Sequence, residues 1–222
     1  VVIDELHVLR GVFGTHVAHI LRRLRRICRH YGSDPVFVFT SATIGQPERL
    51  ASALCAAPVT AITDDGSPTG PRRFALLDPP VIDEETGVRA SANSEVAAVS
   101  AALVESGHRT ITFCQSRKGT ELIAADISRR VSPHLKRSVM PYRAGYLAEE
   151  RRAIEEQMSE GTLRGIVATS ALELGVDIGD LDACVINGFP GTIASMWQQA
   201  GRAGRRNAPS VSVLVAGDDQ LD

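Results

Sequence analysis

The length, composition and charge of the chain describe a globular protein. It has 222 residues, of which 44% are hydrophobic, and its formal net charge is −2 at pH 7, which excludes a global basic field. No apolar run approaches the roughly 18 residues of a membrane span, so we expect no membrane partner and no secretory leader. The cysteines form no C-x-x-C pair, which favours free thiols in a reducing compartment over a zinc site.

The first predicted element is a strand over residues 1–4 that ends in two adjacent carboxylates, Asp4 and Glu5. In open α/β sheets, ligands bind at the carboxyl ends of the strands. Asp4 could hold Mg²⁺ there through water, and Glu5 could orient and deprotonate an attacking water. An acidic turn in which Asp4 caps the next element is the alternative that this pair alone leaves open.

A helix and a second strand follow. Apolar residues at helical spacing predict the helix over 17–28, and its opposite, arginine-rich face is either solvated or in contact with phosphates. The strand covers 36–40 and leads into Ser41 and Thr43. These two hydroxyls could bridge a carboxylate from the neighbouring strand, or they could cap the helix predicted over 46–56.

The composition shifts sharply over 64–71, where Asp, Gly, Ser and Pro dominate. Such a run cannot hold a helix or a central strand, so it predicts a linker. The linker would separate a first lobe, residues 1–63, from a second lobe, residues 72–222. Within the second lobe, the polar stretch 83–94 is predicted to be a loop.

The second lobe alternates strand and helix throughout. Its strands are nearly continuous apolar runs, as expected of parallel strands that are covered on both faces. Helical patterns separate them, which predicts an α/β fold with parallel sheets flanked by helices. In chain order the predicted elements are a helix over 94–106, a strand over 110–114, helices over 117–130 and 147–160, strands over 165–169 and 183–187, a helix over 193–200 and a strand over 211–216.

Polar residues lie at the end of the strand over 165–169 and directly after it. Thr169 could bind a nucleic-acid phosphate through its hydroxyl or its backbone amide. Asp177 could meet a ribose or the arginines of the site, Arg202 and Arg205. The alternative is structural: Thr169 or Ser170 would cap a helix, and Gly175 would make a turn.

The stretch 198–205, Gln-Gln-Ala-Gly-Arg-Ala-Gly-Arg, is the most specific motif of the chain. Arg202 and Arg205 stand three residues apart with only small residues between them, so both could reach one phosphate. Arginines placed in this way stabilise the charge that develops during phosphoryl transfer. A surface Arg-Gly loop is the alternative.

Together and in this order, these motifs resemble those of the superfamily 2 DEAD/DEAH-box DNA helicases, and in particular the MrfA/YprA group. The resemblance covers nearly the whole chain, from motif II to motif VI. It implies RecA-like sheets, with part of a first lobe and most of a second. It also implies an ATP-dependent DNA-repair helicase or translocase that moves 3′ to 5′ on single-stranded DNA. The longer stretches that carry the resemblance are 4–16, 142–152, 171–179 and 188–205.

The resemblance assigns an ATP site between the two lobes, with ATP and Mg²⁺ as cofactors. Asp4 and Glu5 match the metal-binding and water-activating pair of motif II, and His7 matches its coupling position. Arg202 and Arg205 match the catalytic arginines of motif VI. The residues matched to nucleotide contacts are Asp4, Gly175, Asp177, Gln198, Arg202 and Arg205.

Other residues match motifs that contact nucleic acid or couple hydrolysis to strand movement. Ser41 and Thr43 match motif III, the coupling motif. The implied partner is DNA, either single-stranded or a tailed duplex, and the implied location is the nucleoid in the cytoplasm. The residues matched to nucleic-acid contacts are Ser116, Arg117, Arg143, Gly145 and Thr169.

The chain also departs from the family pattern. It contains no Gly-x-x-x-x-Gly-Lys-Ser/Thr loop to hold the phosphates, and it lacks the cysteine-rich region of the MrfA/YprA group. We therefore expect a fragment that is inactive alone and that joins an upstream lobe and a downstream cysteine-rich region in the intact protein. A nucleic-acid-binding regulatory module without ATPase activity and an RNA helicase of the same superfamily are the alternatives.

Overall fold

The computed structural model describes residues 1–42, 44–64, 66, 70–143, 145–172, 181–204 and 208–217. The chain divides into two compact units, Val1–Ser67 and Pro68–Asp222. Among the described residues, none of the helices combines the length and the apolar character that crossing a bilayer requires.

The described residues of unit 1 form two short parallel strands and two α-helices. Val2 pairs with Val38 and Ile3 with Phe39, so the two strands end side by side. The helices pack on one another over a small core that includes Leu6, buried in the turn after the first strand. In chain order the elements are β1 (Val2–Ile3), a 3-10 turn (Leu6–Val8), α1 (Gly11–His30), β2 (Val38–Phe39) and α2 (Pro47–Cys55).

The start of α1 lies directly on the backbone that precedes it. A Cβ added at Gly14 would lie 2.3 Å from the carbonyl oxygen of Leu9, so only glycine permits this approach. Leu9 and Leu21 are buried in the same cluster. The packing therefore anchors α1 close to the residues that follow β1.

Unit 2 is built on a parallel sheet. In the described part of the chain six strands form it, in the order β3-β10-β9-β6-β8-β7. A separate antiparallel pair, β4 with β5, precedes the first helix of the unit. In chain order the elements are β3 (Arg72–Leu77), β4 (Val81–Asp83), β5 (Val88–Arg89), α3 (Ala92–Glu105), β6 (Thr110–Phe113), α4 (Arg117–Arg130), β7 (Val139–Tyr142), α5 (Ala148–Glu160), β8 (Gly165–Ala168), β9 (Ala183–Asn187), α6 (Ile193–Ala200) and β10 (Ser210–Val215).

Helices cover both faces of this sheet. α3 and α4 bury one face, and Val167 of β8 belongs to that cluster. α5 and α6 bury the other face, which includes the neighbouring residue Ile166. The buried hydroxyls of Ser100 and Thr112 hydrogen-bond each other at 2.8 Å, so these two polar groups on the α3 face are satisfied. The predicted α/β fold with a parallel sheet flanked by helices is confirmed.

Several details of unit 2 differ from the sequence prediction. The loop predicted over 83–94 is wrong in part, because β5 lies inside it and α3 begins at Ala92. Asp83 closes the turn between β4 and β5 by accepting hydrogen bonds from the backbone N–H groups of Glu85 and Thr86. β3 and β7 were not predicted. Both lie at the edges of the sheet, where a polar pattern or a proline such as Pro141 is tolerated.

Candidate functional site

The acidic turn of unit 1 lies where β1 and β2 end side by side. Glu5 adopts a left-handed backbone conformation, with φ 55° and ψ 45°, which is unusual for a residue other than glycine. Its N–H donates to Asp4 Oδ1 at 2.8 Å, and the hydroxyl of Thr40 donates to the same oxygen. These two hydrogen bonds hold the pKa of Asp4 below its ordinary value, with Thr40 as the largest cause. Asp4 is therefore ionised at neutral pH.

The imidazole of His7 lies close to side-chain and backbone groups of Glu5, Ser41 and Ala42. Its Nδ1 lies 3.3 Å from Glu5 Oε2 and 3.5 Å from the hydroxyl oxygen of Ser41. The backbone N–H of Ala42 approaches the same nitrogen at 3.4 Å. The turn after β1 and the segment after β2 thus meet at one imidazole ring.

The acidic turn could bind a metal ion whose remaining ligands come from a bound substrate. Within the described ranges, no group of three or more His, Cys, Asp and Glu side chains could hold a metal ion by itself. Mg²⁺ is typically held by one or two carboxylates together with substrate phosphates. In the described part of the chain, both hydrogen bonds to the Asp4 carboxylate go to Oδ1, so Oδ2 could face a hydrated metal.

Three of the predicted nucleic-acid contacts in unit 2 follow adjacent strands. Ser116 comes after β6, Arg143 after β7 and Thr169 after β8, and these three strands are neighbours in the sheet. Because parallel strands end at the same edge, the fold places these residues along one edge of the sheet. This is the edge at which ligands bind in open α/β folds.

The side chains along this edge differ in what they already contact. The hydroxyl of Ser116 accepts a hydrogen bond from the N–H of Gly119 at 3.0 Å and caps α4, in which Arg117 is the first residue. Thr169 is half-buried, and its carbonyl accepts from the N–H of Leu172 at 3.3 Å. At Gly145 an added Cβ would meet nothing within 4 Å.

Arg143 is held by two groups that the sequence did not indicate. Its Nη2 lies 2.7 Å from Oε1 of Glu121 on α4, and its Cζ lies 5.1 Å from the ring centroid of Tyr146. The guanidinium is thus oriented before any ligand binds. No motif pointed to Glu121, because its pairing depends on how α4 packs beside β7.

The segment after α6 carries the predicted arginine motif. Gln198 lies half-buried in α6, and the Arg202 side chain is buried, with 9% of the residue exposed. Gly204 has φ +89°, and a Cβ there would lie 2.2 Å from Ser210 Oγ, so this position requires glycine. Its N–H donates to the carbonyl of Leu181 at 3.0 Å, which ties the motif to the start of β9.

Some of the predicted site residues lie outside the described residues. They are Thr43, Gly175, Asp177 and Arg205.

The fold and the order of these motifs define a RecA-like helicase class, and the comparisons with known proteins agree. The family described as "Helicase conserved C-terminal domain" matches residues 94–207, which is more than half of the chain. The chain therefore belongs to this family.

Within this family, the chain is similar to individual proteins that are named as ATP-dependent helicases. The chain is 47% identical over 223 residues to "Uncharacterized ATP-dependent helicase YprA" of Bacillus subtilis strain 168, covering 100% of this chain and 30% of the relative. It is 40% identical over 229 residues to "ATP-dependent helicase HRQ1" of Saccharomyces cerevisiae, covering 100% of this chain and 21% of that protein. The chain thus spans less than a third of the length of these relatives.

Solved structures give the same result. The DUF1998 helicase MrfA bound to DNA and AMPPNP matches 98% of this chain and 30% of its own, with a TM-score of 0.90 and 47% identity. The Mycobacterium smegmatis helicase Lhr bound to ssDNA and AMP-PNP matches 97% of this chain and 28% of its own, with a TM-score of 0.73 and 27% identity. The RecA-like fold and the resemblance to the MrfA/YprA group are confirmed.

Proposed function

We propose that this chain supplies hydrolytic and strand-binding residues of an ATP-dependent DNA helicase or translocase that acts in DNA repair. The observation that carries the proposal is the cluster of Asp4, Glu5, His7 and Ser41 at the paired ends of β1 and β2. Relatives named as ATP-dependent helicases and a DNA-bound relative support it. A DNA substrate would place the protein at the nucleoid in the cytoplasm, and the proposed movement on single strands is 3′ to 5′.

In ATP hydrolysis, the residues of unit 1 would activate the attacking water and bind the metal ion. Glu5 would accept the proton of the attacking water. Because His7 Nδ1 lies near both Glu5 and the Ser41 hydroxyl, a change in the protonation of Glu5 would alter the contact between His7 and Ser41. Asp4, together with Glu5, would hold hydrated Mg²⁺, which when bound neutralises charge on the phosphates of ATP. In this role Ser41, with Thr43, couples hydrolysis to strand movement.

The residues of unit 2 suit charge stabilisation and strand contact. Arg202 and Arg205 would stabilise negative charge on the transferred phosphoryl group. Contacts to the nucleotide would come from Gln198, Gly175 and Asp177. The proposed strand contacts are Ser116, Arg117, Arg143, Gly145 and Thr169.

The nucleic acid that stimulates hydrolysis tests the proposal. We expect ATP hydrolysis by the intact protein to rise with single-stranded DNA and to rise much less with RNA of the same sequence. Stimulation by RNA alone would indicate an RNA helicase, and stimulation by neither would indicate a regulatory module. Displacement of a strand from duplexes with a 3′ or a 5′ tail then tests the polarity.

Arg143→Ala tests the strand contact. Loss of one phosphate contact should weaken binding of single-stranded DNA roughly tenfold at low salt, whatever the base sequence. The slope of log affinity against log salt should fall by about 0.7. Fluorescence anisotropy with a labelled oligonucleotide over a salt series measures both quantities.

Arg129→Ala is the matched control, because it removes the same charge. Arg129 lies near the C-terminal end of α4 and pairs with Asp126 at 3.2 Å, away from the strand edge that carries Arg143. Equal losses in the two variants would show that only the net charge matters and would contradict the assigned contact.

A further inference from the structure

We infer that Thr40 is a positioning residue for the Asp4 carboxylate, and that it holds one oxygen so that the other remains for the metal-bound nucleotide. Thr40 is the residue after β2 and belongs to no motif identified from the sequence. The inference rests on the proposed function, because it concerns the same acidic turn.

Thr40 contacts the turn through both its backbone and its side chain. Its N–H donates to the carbonyl of Ile3 at 3.0 Å, and its carbonyl accepts from the N–H of Leu6 at 2.9 Å. Its hydroxyl donates to Asp4 Oδ1. One residue therefore binds the chain on both sides of Glu5.

These contacts matter because Glu5 is in the left-handed region, with φ 55°. A glutamate does not adopt this conformation without surrounding structure to hold it. The two backbone hydrogen bonds of Thr40 bracket the strained residue, and its hydroxyl orients the carboxylate beside it. Asp4 Oδ1 accepts from both Thr40 and the N–H of Glu5, which prevents free rotation of the carboxylate.

The hydroxyl can be separated from the rest of Thr40 by substitution. Thr40→Val keeps the branched shape that strands favour and both backbone contacts, but it removes the donor to Asp4. Thr40→Ser keeps the donor and removes only a methyl group. If the hydroxyl positions Asp4, the serine variant must behave like the unmodified protein.

The test measures metal binding directly, apart from hydrolysis. Binding of Mn²⁺ to the intact protein in the presence of AMPPNP is followed by electron paramagnetic resonance. We expect Thr40→Val to weaken Mn²⁺ binding about tenfold, as is typical when a residue that orients a metal ligand is lost. The Mg²⁺ concentration that gives half-maximal hydrolysis should rise by a similar factor, and Thr40→Ser should restore both values.

Thr15→Val is the matched control. It makes the same chemical change in the same unit, but the hydroxyl of Thr15 donates at 3.0 Å to the carbonyl of Gly11 within α1. We expect this variant to bind Mn²⁺ like the unmodified protein. Thermal unfolding of all three variants separates metal binding from stability.

Two outcomes would overturn the inference. Unchanged Mn²⁺ affinity in Thr40→Val would show that the hydroxyl does not position Asp4, and equal loss in Thr40→Ser and Thr40→Val would show that the methyl group matters instead. A different result bears on the proposed function: an unmodified protein that binds no Mn²⁺ with AMPPNP would contradict the ATP site itself.

Discussion

Glu5→Gln is expected to lower kcat for DNA-stimulated ATP hydrolysis by about 10²–10⁴-fold in the intact protein. Glutamine has the shape of glutamate, but it cannot accept the proton of the attacking water. Asp4, which has its own hydrogen bonds from Thr40 and from the backbone of residue 5, should still bind metal and nucleotide, because glutamine keeps a side-chain oxygen that can accept from the metal's water. The loss should therefore fall on kcat, with the affinity for AMPPNP and DNA nearly unchanged.

Steady-state hydrolysis at saturating ATP and DNA measures the loss, and anisotropy with labelled nucleotide and DNA measures binding. Glu48→Gln is the matched control, because Glu48 is a carboxylate of the same unit that lies in the first turn of α2. It should leave kcat within about twofold of the unmodified protein, a difference of only a few tenths of a kcal/mol. If Glu5→Gln behaves like this control, the water-activating role of Glu5 is wrong.

Arg202→Ala is the second change with a large expected effect, a loss in kcat of about 10³-fold or more. An arginine that stabilises the transferred phosphoryl group typically contributes 10³–10⁵ in rate. Arg202 is buried, with 9% of the residue exposed, and its N–H donates to the carbonyl of Gln199 at 3.1 Å. The backbone hydrogen bond fixes the turn after α6 from which this buried side chain projects.

Because Arg202 is buried, loss of packing must be separated from loss of catalysis. Arg202→Lys keeps a positive charge and most of the aliphatic stem, but it lacks the planar fork that engages a phosphate at two points. We expect this variant to unfold near the temperature of the unmodified protein and still to lose most of its kcat. Full activity in the lysine variant would contradict a role for the guanidinium, and Arg129→Ala again controls for charge.

The sequence predicted the central strands of unit 2 well, for a local reason. β6, β8 and β9 are covered on both faces, so nearly every residue in them is apolar or small, and such runs are visible in any window of the chain. The edge strands β3 and β7 escaped prediction because, among the described residues, one side of each strand has no strand partner. Arg72 and Pro141 are compatible with an edge and would be unfavourable in the middle of a sheet.

In the candidate site, too, the sequence predicted the residues that are adjacent in the chain but not the contacts between distant ones. The motif residues Asp4, Glu5 and His7 stand together in the chain, and their chemistry is evident from residue types and spacing. The contacts of Thr40 with Asp4 and of Glu121 with Arg143 join residues that are distant in sequence. No local pattern encodes such pairs, because they depend on the register of two strands and on the packing of a helix.

The sequence by itself determined which residues could perform phosphate and strand chemistry, and that these residues follow strands. Those properties depend on residue type and on short-range periodicity. Only the tertiary structure decided which strand ends are neighbours. β6, β8 and β7 lie side by side in the sheet although they follow one another in the chain as β6, β7 and β8. Non-local packing sets that order, and it aligns Ser116, Thr169 and Arg143 along one edge.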